Sequence, residues 1–134
     1  MNLKKLPKNL PTQLQYIYAG NNQLTKLPMY LPISLVYLYC ENNQIVQLPT
    51  NLNHVIPSLQ FLFCKSNQII KLPAKLPSLL QQLYCQNNKI KKLPINLPAS
   101  LQILCCNNNQ IKNLPNKLPV VLDQKLAKQI TYYP

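Results

Sequence analysis

Apolar residues return along the chain at a fixed interval and alternate with polar residues over short stretches. Eleven-residue frames with apolar residues at positions 1, 4, 6 and 11 begin at Leu14, Leu35, Leu59, Leu80 and Leu101. Side chains of a β-strand point alternately to opposite faces, so positions 3 to 5 of each frame predict a short strand with position 4 facing inward. The pattern therefore predicts a row of short strands with a common apolar face.

Proline and asparagine keep the same interval as the apolar residues. Twelve of the 13 prolines form six pairs, at positions 7/11, 28/32, 49/57, 73/77, 94/98 and 115/119. Asparagines at position 9 of the frames are 21, 24, 21 and 21 residues apart. A period in the twenties predicts a solenoid of stacked turns. The prolines between frames lack backbone N–H donors and favour an extended or polyproline-like return path.

The frame Leu35-x-x-Leu38-x-Cys40-x-x-Asn43-x-Ile45 resembles the leucine-rich repeat motif. The LP-x-x-LP stretch between frames is similar to the short, proline-containing subtype of bacterial effector proteins and some giant-virus proteins. This resemblance covers residues 6 to about 122. It implies a repeat solenoid of the α/β-horseshoe class, with a parallel β-sheet on the concave face, an extended convex side and little helix.

The expected domain organisation follows from the repeat. Residues 1–134 form a single leucine-rich repeat domain, with repeats starting near residues 6, 27, 48, 72, 93 and 114. Residues 114–134 hold a partial repeat and a candidate C-terminal cap, in which apolar residues recur every four positions at Leu118, Leu122, Leu126 and Ile130. Few residues precede the first repeat, so self-association through weakly capped ends stays open. The third repeat has three extra residues near 53–57, where we expect a surface bulge.

The asparagine column marks the points where the strands turn inward. A carboxamide serves both the N–H and the C=O groups that a buried turn leaves unpaired. The resemblance implies that a structural ladder joining neighbouring turns is formed by Asn22, Asn43, Asn67, Asn88 and Asn109. The asparagines immediately before them tolerate a left-handed backbone, which explains how a chain with one glycine makes these turns.

Position 6 of four frames is a cysteine, namely Cys40, Cys64, Cys85 and Cys106. The register predicts an inward-facing file of small apolar side chains, not a tetrahedral metal site or disulfides. We therefore expect no metal and no cofactor. The odd number of thiols favours the cytoplasm or another reducing compartment, which for an effector includes the host cytosol. The sequence shows neither a signal peptide nor an apolar run long enough for a transmembrane helix.

The outward positions of the frames carry most of the aromatic residues. Position 3 reads Tyr16, Tyr37, Phe61, Gln82 and Ile103, and position 5 reads Tyr18, Tyr39, Phe63, Tyr84 and Cys105. Exposed aromatic patches are typical of interaction surfaces. We expect a partner protein to bind the concave face through Tyr16, Tyr18, Tyr37, Tyr39, Glu41, Phe61, Phe63, Lys65, Gln82 and Tyr84. Stacking of the rings for sheet stability alone remains the alternative.

The net charge of +12 adds a second candidate function. Most lysines fall between the frames, on the convex side, where they could bind nucleic acid or an anionic membrane without specificity. The absence of arginine weakens this alternative, because the guanidinium group is favoured for specific phosphate recognition. A repeat fragment with no dedicated partner is the third reading.

The chain lacks the residue sets of common catalytic sites. It has one histidine, His54, and two acids, Glu41 and Asp123, with no glycine-rich phosphate loop. Some bacterial relatives carry a ubiquitin-ligase domain with a nucleophilic cysteine, but the repeats leave no room for one here. We expect no enzymatic activity and no catalytic residues.

Overall fold

The computed structural model describes residues 2–119 and 122. Five three-residue strands and one short helix occur in this part of the chain: β1 (Tyr16–Tyr18), β2 (Tyr37–Tyr39), α1 (Leu52–Val55), β3 (Phe61–Phe63), β4 (Gln82–Tyr84) and β5 (Ile103–Cys105). The strands form one parallel sheet in the order β1-β2-β3-β4-β5. Each strand belongs to one turn of a solenoid, and the predicted fold class is confirmed. No helix in the described residues has the length and apolar character needed to cross a membrane.

Neighbouring strands pair in register, so residues at the same frame position lie side by side. Leu38 of β2 is opposite Ile17 of β1 and Leu62 of β3, for example. The central residue of every strand is buried and faces the interior. Inward columns of leucine, isoleucine and cysteine therefore run along the solenoid and form a continuous apolar core.

The residues before the first strand contact the first turn of the solenoid. Ile17 and Ala19 are only 7% and 2% exposed, because Leu6 and Leu10 pack against the core. Leu3 donates its N–H to Oδ1 of Asn22 at 3.0 Å, and its carbonyl oxygen accepts the N–H of Gln23 at 2.9 Å. Leu3 thus stands where position 11 of a preceding turn would stand, and its side chain is 40% exposed.

A left-handed residue follows each strand and redirects the chain. Positive φ angles occur at Asn21, Asn42, Ser66, Asn87 and Asn108, all between 54° and 56°. The prediction for the four asparagines is confirmed. The third turn uses Ser66 instead, which the sequence pattern did not reveal because serine is not a preferred left-handed residue.

The three extra residues of the third repeat form helix α1 on the return side of the solenoid. Leu52 and Ile56 are fully buried, while His54 is exposed. The insertion therefore contributes to the core and is more than the expected surface bulge.

At the C-terminal end, Leu118 packs against the core and Leu122 is buried. The rest of the predicted cap, with Leu126 and Ile130, lies outside the described residues.

Buried carboxamides join successive turns, as Asn67 illustrates. Its Oδ1 accepts the N–H of Ile45 from the preceding turn at 2.9 Å. Its Nδ2 donates to the carbonyl oxygen of Cys40, also in the preceding turn, at 2.9 Å. It also faces the carbonyl oxygens of Cys64 and Lys65 in its own turn at 3.1 and 3.2 Å. The same pattern occurs at Asn43, Asn88 and Asn109, and Asn22 bonds in this way to Leu3.

We expect Asn67→Ala to lower the free energy of unfolding by about 3 kcal/mol or more, because it leaves buried N–H and C=O groups unpaired. The corresponding change at the last strand, Asn109→Ala, should cost about 1 kcal/mol, since water reaches this partly exposed site. Urea unfolding followed by circular dichroism measures both values. If both variants lost the same small amount of unfolding free energy, the buried asparagine ladder would not be a major source of stability.

Candidate functional site: the aromatic face of the sheet

Seven rings on the outward face of the sheet form two columns, which we call the aromatic face: Tyr16, Tyr37 and Phe61 at position 3, and Tyr18, Tyr39, Phe63 and Tyr84 at position 5. Centroids of adjacent rings are 4.6 and 4.4 Å apart along the first column. Along the second column the distances are 4.7, 4.5 and 4.8 Å. The rings stack because in-register parallel strands are about 4.8 Å apart.

The two columns run side by side with their ring planes aligned. Tyr16 and Tyr18 have centroids 6.5 Å apart and planes within 9° of each other, and Tyr37 and Tyr39 have the same separation with planes within 3°. Each inner ring is covered on its faces by its neighbours and half-buried, so a partner would meet ring edges and tyrosine hydroxyls. At the first strand, Tyr16 and Tyr18 are 49% and 75% exposed.

Burial and neighbouring groups favour the neutral form of a central hydroxyl. The pKa of Tyr39 is raised above its ordinary value, mainly by desolvation and then by Tyr18 and Tyr37. Because the ordinary value is already 10.0, the phenol is protonated at neutral pH and is available both as a hydrogen-bond donor and as an acceptor.

Position 7 of the frame lines one edge of the aromatic face. Glu41 leans over Gly20 of the first turn, where a Cβ would stand 2.8 Å from its Oε1. Oε2 of Glu41 and Oε1 of Gln86 are shielded from solvent and accept no hydrogen bond from the described residues. Lys65 lies at the same position in the turn between them. Two unpaired acceptors and one ammonium group thus lie along this edge.

The structure places all ten predicted partner-binding residues on the outward side of the sheet or along its position-7 edge. Gln82 extends the position-3 column beyond Phe61, with which it pairs in register. Gln86 was missed by the sequence prediction, because only the packing of its side chain reveals the unpaired Oε1. Its position in the frame, shared with Glu41 and Lys65, was the signal that could have identified it.

The cysteine file offers no reactive thiolate. Within the described part of the chain all five cysteines are free thiols, and only Cys105 is partly accessible. Burial raises the pKa of Cys40 to about 12 and that of Cys106 to about 11. It raises the pKa of Cys64 and Cys85 well above the ordinary value. Among the described residues no three histidine, cysteine or acidic side chains are grouped so that they could hold a metal ion.

The raised thiol pKa values predict a pH-dependent contribution to stability. Below pH 9, the ordinary value for Cys85, the thiol is protonated in both states and its stabilising contribution is complete. Above that pH only the unfolded thiol ionises, so the difference in unfolding free energy between the wild type and Cys85→Ala should fall by about 1.4 kcal/mol per pH unit.

Urea unfolding at pH 8, 9 and 10, with a reductant present, measures this difference. The partly exposed Cys105 supplies the control, because Cys105→Ala should show a weaker pH dependence. If the difference in unfolding free energy between the wild type and Cys85→Ala stayed constant with pH, the Cys85 thiol would not be held protonated by burial in the folded state.

Solved structures of leucine-rich repeat proteins match this fold at high probability. A Shigella effector leucine-rich repeat domain is 38% identical with a TM-score of 0.79, covering 90% of this chain and 51% of its own. YopM, a leucine-rich effector protein from Yersinia pestis, is 39% identical with a TM-score of 0.73, covering 85% and 31%. A Leptospira interrogans leucine-rich repeat protein is 28% identical with a TM-score of 0.66, covering 85% and 37%.

The parallel sheet, the short extended return path and these likenesses define a leucine-rich repeat solenoid. The chain is a leucine-rich repeat protein, and its repeats resemble those of bacterial effectors. It spans about half the length of the Shigella structure and about a third of the other two. No family model matches the chain, and the search of curated proteins finds no similar sequence.

Proposed function

We propose that this protein is a non-enzymatic module that binds a partner protein through the aromatic face. The observation that carries the proposal is the pair of exposed, ordered ring columns. Proteins of this fold generally act as protein-binding scaffolds, and tyrosine is enriched at binding hot spots. A reducing compartment suits the five free thiols, so we place the protein in the cytoplasm or, as an effector, in a host cytosol.

Stacking and binding reinforce each other on this surface. Each ring pair adds about 0.5–1.5 kcal/mol of stability beyond burial, so the columns support the sheet in any case. The same stacking holds the side chains in one conformation before a partner arrives. A surface of immobilised rings loses little side-chain entropy on binding, which favours affinity.

The edge at position 7 gives the proposed site its polarity. Oε2 of Glu41 and Oε1 of Gln86 are buried acceptors without a hydrogen bond from the described residues, so either side chain would gain one by turning outward to a donor of the partner. Lys65 between them would pair with an acceptor of the partner. We propose that these groups set the register of the partner while the rings supply most of the contact area.

The test of the aromatic face is a pull-down from nuclease-treated lysate, followed by binding assays on the purified partner. We expect Tyr18→Ser/Tyr39→Ser/Phe63→Ser to lose the partner, or to bind it at least about tenfold more weakly, since hot-spot side chains are each worth 2 kcal/mol or more. Tyr30→Ser is the matched control, because Tyr30 is 84% exposed on the return side and stacks on no other ring of the described residues.

Circular dichroism must first show that the triple variant remains folded. Loss of the partner in both the triple variant and Tyr30→Ser would indicate nonspecific binding through exposed tyrosine side chains. Retention of the partner by a folded triple variant would limit the rings to a structural role. The lysine-based alternative predicts instead that the captured material is nucleic acid or anionic lipid, which moderate salt washes away from every variant alike.

The Glu41 carboxylate can be tested by moving it without changing the charge. Gly20→Ala places a methyl group where the carboxylate lies and displaces it, whereas Glu41→Gln keeps the shape and removes the charge. If Glu41 accepts a bond from a charged donor, each variant should weaken binding of the purified partner by about tenfold. Thermal melting controls for folding, and unchanged affinity in both variants would remove Glu41 from the site.

A further inference from the structure

A groove of about 1070 Å³ lies on the return side of the solenoid, away from the aromatic face. It runs between the return segments 70–78 and 91–98, and Asn53 of helix α1 lies at its margin. The three extra residues of the third repeat build this helix, which is why the groove borders on it. The aromatic face plays no part in its lining.

The interior of the groove is apolar. Leu72, Leu76 and Leu93 form its floor and continue into the core. Ile95 is 82% exposed and Ile70 is half exposed in the same groove. Large aliphatic side chains exposed together in a concave surface are typical of a site that buries an apolar ligand.

The charged side chains of the groove are all basic. They are Lys71, Lys75, Lys91 and Lys92, and each is exposed. Glu41 is the only acid among the described residues, and it lies at the edge of the aromatic face. The lysines therefore have no carboxylate beside them in the described part of the chain, and the groove attracts anions.

The remaining polar groups decide the kind of occupant. Apart from the lysines, only Asn53, Ser78 and Asn96 bring polar side chains to the lining. A peptide on the aliphatic floor would have to pair its backbone with the two return segments, where Pro73, Pro77, Pro94 and Pro98 offer no N–H, so part of its C=O groups would stay unpaired at a cost. A nucleic acid would gain nothing from exposed isoleucines. An acyl chain needs no hydrogen bonds, and a phosphate at its end suits several ammonium groups.

We propose that the groove binds a single-chain lipid phosphate, with the acyl chain along the leucines and the headgroup among the lysines. The site is independent of the aromatic face, so a protein partner and a lipid can be bound together. Lysine side chains suffice here, because several ammonium groups can bind a terminal phosphate as point charges. The two parallel hydrogen bonds of an arginine guanidinium group are not needed.

Isothermal titration calorimetry with dodecyl phosphate, below its micelle concentration, tests the proposal. We expect one saturable site per chain and at least tenfold weaker binding of inorganic phosphate and of dodecyl maltoside. Lys71→Gln/Lys92→Gln should weaken binding by about tenfold, as expected for two partly exposed ion pairs. The control Lys5→Gln/Lys26→Gln removes the same charge at the same repeat position and should leave the affinity unchanged.

A second pair of variants tests the apolar part of the site. Ile95→Ser should weaken the binding of dodecyl phosphate, whereas Met29→Ser, at the equivalent exposed position of an earlier repeat, should not. Equal losses in the two lysine variants would overturn the proposal in favour of diffuse charge attraction. The proposal would also be overturned if the protein bound dodecyl maltoside as tightly as dodecyl phosphate. Binding of the protein to anionic vesicles and DNA, without binding to dodecyl phosphate, would overturn it as well. Tyr18→Ser must retain lipid binding, which separates this result from the proposed protein partner.

Discussion

The structure depends on satisfying backbone groups where each strand turns into the core. Such a turn buries N–H and C=O groups that a parallel sheet of three-residue strands does not pair. One carboxamide per turn, as at Asn43 and Asn67, accepts from the preceding turn and donates to carbonyls of both turns. Because this bond pattern forms only when equivalent residues stand side by side, it also sets the register of the sheet.

In-register stacking then produces columns on both faces of the sheet. Inside, the columns are leucine, isoleucine and cysteine, whose thiols stay protonated because burial raises their pKa. Outside, the same spacing brings aromatic rings to about 4.5 Å and aligns their planes. The stacking that stabilises the solenoid therefore also presents a rigid aromatic surface. The candidate binding site consequently requires little loss of folding free energy.

The two sides of the solenoid differ in charge and in shape. The aromatic face carries one carboxylate and one ammonium group at its edge, Glu41 and Lys65, and is close to neutral. The return side holds most of the lysines, and between its fourth and fifth turns it opens into an apolar groove. This separation favours partners of different chemistry on the two sides, a protein on one and an anionic amphiphile on the other.

The sequence by itself determined the strands, their register, the inward and outward columns and the left-handed asparagines, because each follows from a local pattern repeated at a fixed interval. The tertiary structure decided the rest. Ser66 adopts the left-handed turn because the stacking of its neighbours imposes it, and Ile56 enters the core because the extra residues of the third repeat fold into helix α1, which ends beside it. The unpaired Oε1 of Gln86 and the lysine-lined groove arise from packing between turns, which no single repeat encodes.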